Sequence, residues 1–133
     1  DTAEIVDLYL KKRAARSRHP KLVLHTQNGM ESVQLEQIVY IEGVGKYQNI
    51  VMADSTEPIQ VRRSMQELEN ELTPHGFLRV HKGYLVNYRC IRRIDEADLL
   101  LTTGQMLPIA RRKLGEIKER FLTLMQSENN MLF

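Results

Sequence analysis

Cysteine is nearly absent from the sequence, since Cys90 is the one cysteine in 133 residues. A single cysteine cannot form an intrachain disulfide, which excludes a disulfide-stapled secreted scaffold and fits a reducing compartment. Apolar runs are also short, and none approaches the ~20 residues that a helix needs to cross a bilayer. We therefore expect this part of the chain to be soluble, with Cys90 as a small buried hydrophobic residue.

The motifs of enzymes and metal sites are missing as well. Gly43 and Gly45 lack the longer loop and the following hydroxyl residue of a phosphate-binding loop, so we assign them to a turn between strands. Carboxylates are scattered, and no spacing typical of metal ligands links Cys90 to the four histidines, which are His19, His25, His75 and His81. We therefore predict no enzymatic activity, no metal and no cofactor.

Charge is distributed unevenly along a chain of otherwise ordinary globular composition. The formal net charge is only +2. Residues 21–76 contain four basic and eight acidic residues, whereas residues 77–113 contain eight basic and three acidic residues. This asymmetry favours an anionic partner for the second part of the chain. The length of 133 residues is enough for one domain with a hydrophobic core.

The apolar pattern changes at Pro20 from a helical period to that of strands. Residues 1–19 predict a helix that serves as a linker or a dimerisation segment. Beyond Pro20, short β-rich segments predict a hairpin that turns at Asn28-Gly29 and one strand region over residues 31–43. Ser64 and Glu67 then fit a capping box, which predicts a short helix that ends within residues 73–76.

Short strands also dominate the second half of the chain. Residues 77–94 predict one or two strands interrupted at Lys82-Gly83, and a further hairpin is expected at Thr103-Gly104. A last helix is predicted from about Arg111, with one apolar stripe formed by Leu114, Ile117, Phe121 and Leu124. Because helices do not alternate with strands, the pattern favours a mostly β fold over a doubly wound parallel sheet.

Several basic residues fall at the predicted strand ends and loops. They are Lys46 after Gly45, Lys82 before Gly83, and the run Arg111–Lys113. Side chains in such places can contact phosphates and base edges, and an adjacent glycine lets the backbone approach a ligand closely. The same charges could instead only keep a β-surface soluble and its edges unpaired. Three basic loops that converge at one end of a sheet would favour nucleic-acid binding.

Four segments carry a resemblance to a known family, and they are "QIVYIEGVGKYQNIV", "SMQELENEL", "FLRVHKGYLVNYRCIRRI" and "LPIARRKLGEIKERF". The third contains the pattern F-x-R-x-H-x-x-Y-x-V-N from Phe77 to Asn87. Together they resemble the LytTR-type DNA-binding domain, the output domain of many bacterial response regulators, over roughly residues 21–122. The resemblance implies a mostly β fold of elongated, layered antiparallel sheets with one short inserted helix, in addition to the predicted N-terminal and C-terminal helices.

The resemblance also implies that loops on one side of the domain enter successive grooves of double-stranded DNA. By position, these loops are residues 45–49, 81–83 and 110–113. The implied site residues are Lys46, Gln48, Asn49, His81, Lys82, Gly83, Arg111, Arg112 and Lys113. Of these, we expect Lys46, Gln48, Lys82 and Arg111 to lie closest to bases, and Arg112 and Lys113 to contact phosphates. For His81 we favour a structural hydrogen bond over a base contact, and for Asn87 the support of a turn.

For the whole protein, the resemblance implies a cytoplasmic bacterial transcription regulator that binds direct repeats in promoters as a homodimer. The predicted DNA-binding domain spans residues 20–125 and is followed by a tail at residues 126–133. We expect a receiver, a sensor or a membrane segment upstream. The alternative is a protein-interaction module of the same fold that does not bind DNA.

Overall fold

Ten β-strands in three antiparallel sheets and two α-helices make up the computed structural model, which describes residues 19–128. The mostly β fold predicted from the sequence is confirmed. The strands are β1 (Lys21–Thr26), β2 (Gly29–Gln34), β3 (Ile38–Val44), β4 (Tyr47–Met52), β5 (Ile59–Val61), β6 (Phe77–His81), β7 (Tyr84–Asn87), β8 (Ile91–Ile94), β9 (Asp98–Leu101) and β10 (Met106–Pro108). The helices are α1 (Met65–Leu72) and α2 (Leu114–Gln126).

The central sheet has five strands in the order β5-β4-β3-β7-β6, and both of its faces are covered. On one face, Ile41, Ile50 and Leu85 belong to a core shared with the β1–β2 hairpin and α1. On the other face, Val80 and Val86 belong to a second core shared with the sheet β10-β9-β8 and α2. Each of these side chains is fully buried, and such burial stabilises the fold by about 1.5–3 kcal/mol per residue. The domain is therefore layered, with the central sheet in the middle.

The predicted strand region at residues 31–43 is in fact two strands in different sheets. A 3₁₀ turn, Leu35–Gln37, separates β2 from β3. At this turn the Leu35 amide donates to the carbonyl of Pro20 at 3.0 Å, and the Leu35 side chain is buried in the core. The prediction of one strand region was wrong because the turn is held by a residue fifteen positions away, which local pattern does not reveal.

Helix α1 begins at the predicted capping box. The Ser64 hydroxyl accepts a hydrogen bond from the Glu67 amide at 3.0 Å and lies 3.3 Å from the Glu67 carboxylate, to which it donates. The buried side chains of Met65, Leu68 and Leu72 face the core. The chain leaves the helix through a 3₁₀ turn, Thr73–His75, and Gly76 follows with a φ of 92°.

The arginine-rich stretch at residues 77–94 contains three strands rather than one or two. Strands β6 and β7 lie in the central sheet, whereas β8 lies in the three-stranded sheet. Asn87 makes this transition possible, because its side chain donates to the carbonyl of Ile38 at 2.9 Å and accepts from the amide of Arg89 at 3.1 Å. The predicted role of Asn87 in a turn is thereby confirmed.

Helix α2 starts at Leu114 and is preceded by a 3₁₀ turn, Arg111–Lys113. The prediction had placed the start of the α-helix at about Arg111. Three positive charges in a first helical turn oppose the helix dipole, and 3₁₀ turns are frequent at helix N-termini. The predicted apolar stripe is confirmed, since Ile117 is buried and Leu114, Phe121 and Leu124 are half-buried against the second core.

The end of the central sheet where β3 starts and β7 finishes also holds both ends of the described chain. A groove there is lined by residues that include Pro20, Leu35, Pro74, Tyr88, Leu124 and Glu128. Arg89 lies over the Tyr88 ring at 4.6 Å and pairs with Glu128 at 3.1 Å. We call this region the ion-paired end. The predicted N-terminal helix at residues 1–19 lies outside the described residues except for His19, and the boundaries proposed for the domain stay predictions.

Candidate nucleic-acid interface

Two turns lie side by side at the other end of the central sheet. The first is Gly45-Lys46 between β3 and β4, and the second is Lys82-Gly83 between β6 and β7. Strand β3 pairs with β7, and the Gly43 amide donates to the Gly83 carbonyl at 2.9 Å. The two turns therefore belong to one continuous edge of the structure.

A third segment, residues 110–113, lies beside the Lys82-Gly83 turn. The amide of Ala110 donates to the carbonyl of Val80 at 2.8 Å, and the amine of Lys113 donates to the carbonyl of Arg79 at 3.2 Å. These contacts put the Lys82-Gly83 turn in the middle, with one basic segment on either side. One shallow surface pocket joins the second and third segments, and it is lined by Gln66, Glu69, Arg79, His81, Lys82, Ala110, Arg112 and Lys113. We call the three segments together the loop end.

The cations at the loop end are mostly free of intramolecular partners. Lys46, Lys82, Arg111 and Arg112 are exposed, and within residues 19–128 none of these four side chains has a hydrogen-bonded or ionic partner. Lys113 differs, because it is half-buried and donates to a backbone carbonyl. Exposed cations without partners keep their full charge available to an anion.

His81 and Gly83 form the structural hydrogen bond that the sequence favoured. The amide of Gly83 donates to Nδ1 of His81 at 3.1 Å, and the half-buried imidazole ring lies 5.8 Å from the ring of Tyr84. A neutral His81 that accepts at Nδ1 carries its proton on Nε2. The prediction of a structural role for His81 is therefore confirmed, and its base contact stays a prediction.

Gln48 and Asn49 are placed differently from the cations. Only 6% of Gln48 is exposed, and its buried Oε1 has no hydrogen-bond partner among the described residues. This oxygen lies 3.0 Å from the position that a Cβ would occupy on Gly43, so only glycine fits there without displacement. Asn49 is half-buried on β4 and lies opposite Glu42 of β3 in the register of the sheet. A base contact by Gln48 stays a prediction that this burial does not support.

Two further arginines lie next to the loop end and were not among the predicted site residues. Arg79 donates hydrogen bonds to the Lys82 and His81 carbonyls at 2.6 and 3.2 Å. Arg62 is exposed and directly follows Val61, which pairs with Gln48 beside the first turn. The signal for Arg79 was its place in the F-x-R-x-H pattern, two residues before His81. The signal for Arg62 was a basic residue at the end of a strand.

Other chemistry finds little support in the described part of the chain. Within residues 19–128, no group of three or more histidine, cysteine or carboxylate side chains could hold a metal ion. None of the helices in this range is long and apolar enough to cross a membrane. Cys90 is a free, half-buried thiol, and its burial raises its pKa above the ordinary value, which disfavours the reactive thiolate.

The layered antiparallel sheets and the cationic loop end define a mostly β domain with a basic surface that suits an anionic partner. Residues 28–122 match the family described as the LytTr DNA-binding domain. The chain therefore belongs to the LytTr DNA-binding domain family, as the sequence motifs predicted. The fold agrees with that of a solved LytTr DNA-binding domain from Bacillus cereus, with a TM-score of 0.65 and 21% sequence identity over 75% of this chain and 94% of the other.

Curated relatives are named as regulators. The transcriptional regulatory protein NatR of Bacillus subtilis is 26% identical over 67% of this chain and 37% of its own length. The sensory transduction protein LytT of Oceanobacillus iheyensis is 31% identical over 62% of this chain and 33% of its length. The CO-responsive transcriptional regulator RcoM of Rhodospirillum rubrum is 30% identical over 66% of this chain and 39% of its length. This chain thus spans between a third and two fifths of these relatives.

Proposed function

We propose that this chain is the DNA-binding output domain of a bacterial transcription regulator and contacts promoter DNA through its loop end. The observation that carries the proposal is the convergence of three turns whose exposed cations have no partner within the described residues. Double-stranded DNA presents a dense row of phosphates, and cations that neutralise them release counterions and supply much of the affinity. A loop end with unpaired cations suits this partner better than it suits an uncharged one.

The order of the segments supports distinct roles in DNA recognition. Lys82 lies in the middle segment, so we assign it to one groove and assign Lys46 and Arg111 to the grooves on either side. Arg111 can form a bidentate contact with guanine O6 and N7, which reads sequence. We assign Arg112 and Lys113 to phosphates, as the family resemblance implies. Lys113 gives one of its three N–H donors to the Arg79 carbonyl, which leaves two donors for a phosphate.

The remaining parts of the proposal concern the whole protein. We propose binding to direct repeats by two copies of the chain, a location in the cytoplasm where bacterial DNA resides, and no catalytic role. An upstream receiver, sensor or membrane segment would supply the signal. The named relatives support a regulatory role, since two are transcriptional regulators and one is a sensory transduction protein.

Site selection from a randomised duplex library tests the proposal directly. The selected duplex and a random duplex of equal length are then titrated by fluorescence anisotropy at several salt concentrations. A loop-end variant replaces Lys46, Lys82, Arg111 and Arg112 with alanine. The matched control replaces two lysines and two arginines that lie elsewhere, namely Lys21, Arg89, Arg92 and Lys118.

The two variants remove the same charge, so they separate a local site from general electrostatics. We expect the loop-end variant to lose specific binding and the control to keep most of it. Equal losses in both variants would show that the site is wrongly assigned. An unmodified chain that selects no sequence, and whose affinity for the random duplex barely changes with salt, would instead favour the protein-interaction module.

A further inference from the structure

Arg79 lies beside the Lys82-Gly83 turn, and its guanidinium group donates hydrogen bonds only within the fold. Nη2 donates to the Lys82 carbonyl at 2.6 Å and Nε donates to the His81 carbonyl at 3.2 Å. Nη1 donates to the Glu69 carboxylate on α1 at 2.7 Å. The Arg79 side chain is only 17% exposed. Its donors therefore serve the turn and α1, which distinguishes it from the exposed cations of the loop end.

The backbone around Arg79 needs this support. The pairing of β6 with β7 shifts register between Arg79 and His81, so Val80 has no directly opposed residue. Such a bulge bends a strand and redirects the side chains that follow. Two successive carbonyls beyond the bulge, those of His81 and Lys82, both accept from one planar guanidinium group. Arg79 is therefore bonded to the backbone that carries Lys82.

Arg79 also connects the turn to the third segment of the loop end. Its own carbonyl accepts from the Lys113 amine at 3.2 Å, and the carbonyl of the neighbouring Val80 accepts from the Ala110 amide at 2.8 Å. One residue therefore links the middle turn, helix α1 through Glu69, and the basic segment that precedes α2. A lysine cannot replace it, because a single ammonium group lacks the planar fork that reaches three separate acceptors.

We propose that Arg79 is a positioning residue for DNA recognition, which fixes the Lys82-Gly83 turn relative to segment 110–113 without contacting DNA itself. This inference rests on the proposed function of the loop end. If Arg79 acts through geometry, its loss should harm the binding of the selected sequence more than the binding of random DNA. A direct phosphate contact would predict equal losses on both duplexes and a weaker salt dependence. General support of the fold would predict a large loss of thermal stability.

The experiment compares Arg79→Met, which keeps the apolar stem, with Arg79→Lys, which keeps the charge. Both are titrated with the selected duplex and with the random duplex of equal length. We expect Arg79→Met to weaken specific binding about ten- to hundredfold, which corresponds to the loss of about one base contact by the displaced turn. We expect binding to the random duplex and its salt dependence to stay nearly unchanged. Arg79→Lys should not restore specific binding.

Two further measurements keep the test decisive if Arg79→Met is poorly folded. Glu69→Gln removes the charge that anchors Arg79 and should weaken specific binding in the same direction, by less. In the free protein, hydrogen exchange at the amides of residues 81–83 should accelerate in the Arg79 variants, while exchange at the amides of β1, which lies in a separate sheet, should not. Accelerated exchange across all strands would overturn positioning in favour of general fold support.

A double-mutant cycle with Lys82→Ala separates this inference from the proposed function. If Arg79 acts by placing Lys82, the loss from Arg79→Met should shrink once Lys82 is already alanine. Fully additive losses would overturn the inference and leave the loop-end assignment standing. Unchanged specific binding in Arg79→Met, when the unmodified chain binds normally, would also overturn the inference and leave the loop-end assignment standing. Absence of DNA binding by the unmodified chain would overturn both proposals.

Discussion

The two ends of the central sheet use the same residue types in opposite ways. At the ion-paired end, Arg89 pairs with Glu128 and lies over the Tyr88 ring, and His19 lies 2.9 Å from the Glu36 carboxylate. At the loop end, Arg111 and Arg112 are exposed and have no such partner among the described residues. At the ion-paired end these cationic side chains pair within the fold. At the loop end the two arginines stay exposed and unpaired among the described residues.

The glycines differ between the two ends in a parallel manner. Gly76, at the ion-paired end, has a φ of 92°, and a Cβ there would lie 2.6 Å from the Tyr88 ring. Gly45, at the loop end, has a φ of 60°, and a Cβ there would meet no atom within 4 Å. The ion-paired end is therefore closely packed around its backbone, whereas the tip of the first turn is open. The role of a charged residue or a glycine therefore depends on the partners and the packing around it, and its type alone does not show that role.

The largest expected effect comes from changing the packed glycine. Gly76→Ala combines a left-handed backbone with a steric clash, so we expect it to lower the free energy of unfolding by about 3 kcal/mol. Gly45→Ala has the backbone cost alone and should lower it by about 1 kcal/mol. Urea unfolding of the two variants measures the difference. Similar values would mean that the two ends are packed alike.

High pH should destabilise the ion-paired end through Tyr88. Burial, aided by a hydrogen bond with Glu128, raises the pKa of Tyr88 from 10.0 to about 12. The unfolded chain loses this proton at lower pH than the folded chain does, so the stability that Tyr88 contributes is fully present below pH 10 and is lost as pH rises from 10 to about 12. The loss amounts to about 2–3 kcal/mol for two pKa units. Urea unfolding across this range measures it, and Tyr88→Phe should remove this part of the pH dependence.

A matched pair of arginines tests the contrast in charge. Arg111→Ala should weaken binding to the selected duplex by about 1–3 kcal/mol, as for an arginine that reads a base, with little change in stability. Arg89→Ala should leave DNA binding intact and cost at most about 1 kcal/mol of stability, because its ion pair is largely exposed. Anisotropy titrations and thermal melts of both variants decide the matter. If Arg89 were required for binding and Arg111 were not, the interface would lie at the ion-paired end and the proposed assignment would be wrong.

The smallest expected effect is a change in salt dependence. Lys82→Ala should reduce the slope of log affinity against log salt concentration by about one, since one positive charge is removed from the DNA groove and fewer counterions are released. Lys21→Ala, an equal change of charge at the start of β1, should leave the slope unaltered. Titrations of the selected duplex at four or more salt concentrations give both slopes. Identical slopes for the two variants would remove Lys82 from the interface.

Local features of the fold could be predicted from the sequence because they depend on neighbouring residues. The Ser64 cap and the break at Lys82-Gly83 are each specified within four residues and occur where they were predicted, and the first hairpin turns at Gln27-Asn28, one residue before the predicted Asn28-Gly29. The apolar stripe of α2 likewise needs only its own period. The convergence of three basic loops was expected from the family resemblance and from strand ends, and the pairing of β3 with β7 accounts for the contact between the first two.

Features that depend on distant residues could not be predicted in this way. The turn at Leu35 requires Pro20, and the change of sheet after Asn87 requires Ile38. Gln48 is buried on β4 between its register partners Gly43 of β3 and Val61 of β5, so its side chain does not lie at the surface where the family resemblance implied a DNA contact. The role of Arg79 requires Glu69 on another element. Each of these contacts joins residues that no local pattern links.

Pro20 and Glu128 lie near the two limits of the described residues, and their shared position has a consequence for how the domain can be joined to other modules. Pro20 and Glu128 line the same groove, at the end of the central sheet away from Lys46 and Lys82. A polypeptide attached at either point starts about 20 Å from the DNA loops, given strands of five to seven residues. Neighbouring termini on one side of a domain suit insertion and fusion. Modules joined to the domain at Pro20 or Glu128 can therefore be exchanged without a change in the loop end.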